Sequence, residues 1–82
     1  MDVVKDFTEK LVLGLVKNTD IVKVQDFLDE DGNPILEVIV HNEDMGAVIG
    51  KSGNTVKAIR TLISACAYKQ GISRIKVNVD SI

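Results

Sequence analysis

The sequence predicts an α+β fold in the order α-β-β-α-α-β, a three-stranded sheet covered on one face by three helices. Three observations carry that reading. Apolar residues recur at helical spacing near the start and again after Asn54. Two runs rich in β-formers flank the turn sequence Asp31-Gly32-Asn33-Pro34. The last stretch alternates apolar and polar, as a half-buried strand does. Eighty-two residues bound the chain to one domain, residues 1–82.

The first helix is expected over Asp2 to Lys17, with Val4, Phe7, Leu11 and Leu15 on one stripe and Asp2 as its cap. Leu11, Val12, Leu13, Leu15 and Val16 spread apolar groups almost all round its end, and a surface helix needs only one apolar stripe. That surplus meets either the sheet edge or another molecule, and it makes Val12, Leu13 and Val16 candidate contacts with a second molecule. A strand follows over Ile21–Asp29, then the turn, then a return strand over Ile35–His41. Asn42-Glu43-Asp44 supplies capping side chains for a short helix, Met45–Ile49. Gly50–Gly53 interrupts it, and a longer helix runs from Asn54 to Gln70 before Gly71 stops it. Ser73–Val79 is the final strand, with Ile75, Val77 and Val79 on one face, and the uncovered face of the sheet is expected to be polar.

Composition removes several function classes. Hydrophobic residues are 45% of the chain, yet no run approaches the roughly 20 residues of a membrane span, and no signal peptide heads the sequence. A cytoplasmic setting follows as the expectation, and the lone Cys66 agrees with it. One His and one Cys make no zinc site, so no metal and no cofactor is expected. The net charge of −2 is unusual for a nucleic-acid binder, but its distribution is uneven. Residues 1–44 hold four lysines against eleven acids, a charge of −7. Residues 45–82 hold Lys51, Lys57, Arg60, Lys69, Arg74 and Lys76 against Asp80 alone, a charge of +5. One cationic face, or merely two solvated surfaces, accounts for that split.

The stretch that carries chemistry is Val48-Ile49-Gly50-Lys51-Ser52-Gly53-Asn54-Thr55-Val56-Lys57-Ala58-Ile59-Arg60. Two glycines bracket two polar residues between a short and a long helix. Without a Cβ at either glycine, the backbone can approach a phosphate closely, and the next helix aims its amide end there. Gly50-Lys51-Ser52 also matches the end of a nucleotide-binding P-loop. The spacing fails, because that motif needs glycine where Met45 stands and the nearest is Gly46. A glycine elbow with no ligand is the plain structural alternative; Lys51 and Ser52 inside it, and Lys57 and Arg60 beyond it, weigh against that reading.

These residues, together with Met45-Gly46-Ala47, resemble those of the small bacterial stand-alone KH proteins, the KhpA family of RNA-binding proteins, over nearly the whole chain. The helix and hairpin ahead of the loop are similar to the type II KH arrangement. The resemblance implies a GXXG loop, Gly50–Gly53, that holds the backbone of about four nucleotides of single-stranded RNA. It implies an aliphatic groove formed or supported by Val48, Ile49, Val56 and Ile59, with Ile39 from the hairpin. Asn54, Lys51, Lys57 and Arg60 complete the expected RNA contacts, the cations through salt-dependent attraction. Plain core packing is the competing role for the aliphatic residues.

The family likeness further implies an RNA chaperone or post-transcriptional regulator of low sequence specificity. It also implies a homodimer, or a heterodimer with a larger KH-containing protein. The rival function is an interaction module in which RNA binding is secondary. His41 is expected to be structural or a surface residue, and Cys66 a small core residue. No nucleophile pairs with a base anywhere in the sequence, so no enzyme activity is expected.

Overall fold

The computed structural model describes residues 1–82. The chain forms α1 (Asp2–Leu13), β1 (Lys23–Leu28), β2 (Pro34–Val40), α2 (Met45–Ile49), α3 (Asn54–Lys69) and β3 (Lys76–Ser81), with single 3₁₀ turns at Asn42–Asp44 and Lys51–Gly53. The sheet order is β1-β2-β3; β1 pairs antiparallel with β2, and β3 pairs parallel with it. The expected element order and fold class therefore stand.

Helix α1 is shorter than its apolar pattern suggests. It ends at Gly14, whose amide donates to the Lys10 carbonyl at 3.2 Å, and the Leu15 amide turns back to the Val12 carbonyl at 2.9 Å. Leu15 and Val16 thus lie in the following turn, which removes the apparent all-round apolar cylinder. Asp2 sits in the first turn rather than capping it, since Met1 occupies the cap position. Buried Thr8 satisfies its hydroxyl on the Val4 carbonyl at 2.8 Å, so no polar atom is stranded inside the helix face.

The core is a cluster of Val4, Val12, Leu36, Val38, Val40, Val48, Ile59, Ile63, Ala67 and Val77, drawn from α1, α2, α3 and two strands. Each large aliphatic side chain removed from water there stabilises the fold by about 1.5–3 kcal/mol before entropy is counted. In β2, Leu36, Val38 and Val40 face the helices while Ile35, Glu37 and Ile39 face the other way. The register extends that alternation across the sheet into three open-face rows: Phe27–Ile35–Lys76, Gln25–Glu37–Asn78 and Lys23–Ile39–Asp80. The open face is therefore mixed rather than polar, because Phe27, Ile35 and Ile39 project from it. At the hairpin the Asp29 carboxylate accepts the Asp31 and Asn33 amides at 2.9 and 2.8 Å, fixing a turn through Gly32 at φ 81°. Helix α3 closes with the Ile72 amide on the Ala67 carbonyl at 2.9 Å and Gly71 at φ 85°.

Candidate nucleic-acid interface

The loop between α2 and α3 is built so that backbone, not side chain, meets whatever lies against it. Gly50 ends α2 with φ 76° and ψ 174°, a conformation that essentially only glycine holds, and a Cβ there would overlap the Thr55 side chain. The Gly53 amide closes the turn on the Gly50 carbonyl at 3.2 Å. Ser52 and Gly53 are consecutive left-handed residues, at φ 56° and 75°. That reversal leaves the Lys51 and Ser52 side chains exposed at the tip. Gly53, the cap position of the 16-residue α3, has no side chain to block the positive end of that helix. One turn earlier, Gly46 is exposed and keeps ordinary negative φ, and nothing lies within 4 Å of where its Cβ would be. No packing or backbone demand of the fold calls for glycine at that position.

Further along α3, a cleft of about 320 Å³ runs between that helix and β3, lined by Arg60, Ser64, Ile75, Lys76, Val77 and Asn78. Arg60 spans it, donating from Nε to the Val77 carbonyl at 3.2 Å. The Ile82 amide donates to Val40, so even-numbered residues of β3 turn their backbone toward β2. By the same alternation Val77 and Val79 present amide and carbonyl along the outer edge of the sheet. The cleft thus combines two cations, a hydroxyl, an amide side chain and a bare strand edge.

The structure sorts the residues expected at the site. Gly50, Lys51, Ser52, Gly53 and Asn54 form the loop and its exit, and Lys57 is exposed one turn into α3. Arg60 lies on the same helix but is tied back to β3. Val48 is fully buried, and Val56 and Ile59 are 6% and 4% exposed, so these three support the loop from the core. Ile49 keeps a partly open side. Ile39 does not join them: it lies on the open face of the sheet, opposite Val38 and Val40. β2 is the central strand and β3 the edge strand, so the sheet residues that line the α3–β3 cleft are Val77 and its neighbours. Val12 is likewise corrected as a surface contact, being wholly enclosed in the core; Leu13 and Val16 are half-buried. On α3, Leu62 and Tyr68 are 48% and 76% exposed, with Ala58 and Ala65 exposed as well.

Two residues around the start of α2 have clear duties. His41 accepts the Glu43 amide on Nδ1 at 3.0 Å and so caps the 3₁₀ turn. Asp44 was read from sequence as a cap for α2, but its carboxylate faces elsewhere. It accepts the Lys17 and Asn18 amides and the Asn18 side-chain amide, each at 3.0 Å, binding the α1–β1 connection to the first turn before the loop. These contacts hold its carboxyl below the usual carboxylate range. The Lys17 amide is the largest cause, the Asn18 groups and the charge of His41 add to it, and burial opposes them. Only the long-range fold brings residues 17, 18 and 44 together, so no local pattern in the sequence signals this tie.

The same α-β-β-α-α-β arrangement recurs in solved structures. A crystal structure of Era with MgGDPNP and nucleotides 1506–1542 of 16S ribosomal RNA superposes with a TM-score of 0.61 at 16% identity, covering 96% of this chain and 30% of that one. A structure of Aquifex aeolicus Era bound to GDP.AlF4⁻ gives a TM-score of 0.63 at 18% identity, with the same coverage. In sequence, the chain is 44% identical over 61 residues to an RNA-binding protein KhpA of Thermotoga maritima, covering 74% of this chain and 80% of that protein. It is 40% identical over 74 residues to an RNA-binding protein KhpA of Streptomyces coelicolor, covering 90% and 91%. The family model described as "KhpA/KhpB, KH domain" matches residues 5–79, which take in the loop, α3 and every residue that lines the cleft, and the chain belongs to that family.

Proposed function

We propose that this chain binds single-stranded RNA, with the Gly50–Gly53 loop holding the sugar-phosphate backbone and the α3–β3 cleft receiving the bases. The observation that carries this reading is the loop itself. Its backbone is open at Gly53, as is that of Gly46 in the helix before it, the loop stands at the positive end of α3, and the same helix lines a cleft containing Arg60 and Lys76. Lys51, Lys57, Arg60 and Lys76 lie in the basic half of the sequence, which accounts for nucleic-acid binding by a chain of net charge −2. The KhpA relatives, named as RNA-binding proteins, support the same reading.

A grip on about four nucleotides through a few cations gives modest affinity and little sequence preference. That suits an RNA chaperone or post-transcriptional regulator working in the cytoplasm, with no chemical step of its own. Useful affinity then comes from a second site, supplied by another copy of the chain or by a larger KH-containing partner. The exposed face of α3 favours this pairing: small Ala58 and Ala65 flank the projecting Leu62, leaving room for a second helix to approach.

The test is fluorescence anisotropy of a labelled single-stranded RNA with wild type and with Lys51→Asp/Ser52→Asp, at two salt concentrations. Three or four phosphate contacts predict a slope of log K against log salt of about −2 to −3. Binding of that kind, lost in the double variant while its fold remains, supports the loop as the phosphate grip. Equal binding by both proteins refutes it and leaves the interaction-module reading.

A further inference from the structure

We propose that RNA longer than the loop can hold continues round the edge of β3 onto the open face of the sheet, where Phe27 stacks one further base. This inference rests on the RNA-binding reading and extends it to a site that lies outside the loop and cleft. Phe27 is 45% exposed, an aromatic ring on the face of the sheet turned away from the helices. Its cross-strand partner Ile35 is only partly covered, and beyond Ile35 the same row ends at Lys76. Lys76 also lines the cleft together with Arg60 and Ser64, so one lysine belongs to both surfaces. Three strands at their usual spacing put the ring on the order of 10 Å from that lysine, within the reach of the next nucleotide.

The charge pattern selects this row over its neighbours. Gln25–Glu37–Asn78 and Lys23–Ile39–Asp80 each contain an acid that would repel a phosphate. Phe27–Ile35–Lys76 contains none, and it joins a flat π-face to a cation, the pairing by which single strands are held without sequence readout. Of the acids close by, Asp26 pairs with Lys5 at 3.1 Å and Asp29 is turned into its own hairpin, while Glu37 in the adjacent row limits the path to the Phe27–Ile35–Lys76 row. Glu30 and Asp31 remain at the tip and mark where an RNA strand must stop.

The experiment uses oligouridylates of four and eight nucleotides with wild type, Phe27→Ala and Phe27→Trp. The chain has no tryptophan, so F27W reports from one position alone. Stacking of one base predicts that Phe27→Ala weakens octamer binding by about 5- to 100-fold and leaves tetramer binding unchanged. The F27W variant should keep octamer affinity, and its fluorescence should be quenched by the octamer but not by the tetramer. An octamer bound no tighter than a tetramer by wild type overturns the extension and leaves the loop grip standing. So does an unquenched F27W that binds the octamer normally. Wild type that binds neither oligonucleotide overturns the RNA reading and this inference together.

Discussion

Gly46→Ala separates what the fold needs from what the ligand needs. A methyl group at this position has nothing within 4 Å, and the backbone there carries no positive φ. In a helix, alanine is favoured over glycine by roughly 0.5–1 kcal/mol, mostly because the unfolded chain loses less freedom on folding. For a domain of this size that corresponds to a rise in melting temperature of about 2–8 °C. The neighbouring glycines calibrate the measurement. Gly53→Ala forces a left-handed residue at φ 75° into open space and should cost about 1 kcal/mol. Gly50→Ala adds a collision with Thr55 to a conformation alanine rarely adopts, and should cost more than Gly53→Ala by about 1–3 kcal/mol. Urea denaturation gives the three stabilities, and anisotropy with a short RNA gives the three affinities. If the bare backbone at Gly46 is where a nucleotide lies, Gly46→Ala is the variant that becomes more stable and binds less well. A stabilised Gly46→Ala with undiminished affinity refutes the reasoning and confines the contact to Gly50–Gly53.

Three further outcomes follow from named contacts. Asp44 binds fewer protons in the folded chain than in the unfolded one, so the stability it contributes is present above its ordinary value near 3.8 and is lost as pH falls through its lowered folded value. An acid titration of Asp44→Asn, followed by circular dichroism, should therefore show a shallower decline than wild type in that range, from a lower plateau at neutral pH. Lys57→Met and Arg60→Met each remove one cation, and each should flatten the salt dependence of RNA binding by about 0.7 in slope. Only Arg60→Met should also lower the melting temperature, because only Arg60 is bonded to the edge of β3. Leu62→Asp should reduce self-association in sedimentation while leaving the loop's affinity for a four-nucleotide RNA intact; a dimer unaffected by the charge would move the interface to Leu13 and Val16.

Local chemistry made the element order readable. Asp31-Gly32-Asn33-Pro34 marked the hairpin, Gly71 the end of α3, and the two glycines the loop, because each acts through neighbours a few residues away. Helix α1 was overextended because the apolar pattern runs on through Leu15 and Val16, whereas Gly14 had already ended the helix. The loop was legible, but the cleft further along α3 was not. Its wall depends on β3 pairing parallel with β2 on the side away from β1, a long-range fact that no local pattern signals. The positions of Asp44 and Phe27 are hidden in the sequence for a related reason. Asp44 looks like a cap until the α1–β1 connection is folded onto it, and Phe27 looks like core until the helices are seen to cover the other face.

The parallel partnership of β2 and β3 also sets the order of events during folding. Ile35 pairs with Lys76, a separation of 41 residues (76 minus 35), and everything between them, including the loop, lies inside that crossover. Helices and the hairpin can form from near neighbours, but the last strand must close a long loop before its contacts reward it. The outer edge of β3 and the Arg60–Val77 bond exist only after that closure. Until then the chain carries a glycine loop without the β3 edge, so the surface proposed to face RNA is complete only once the pairing of longest range has formed.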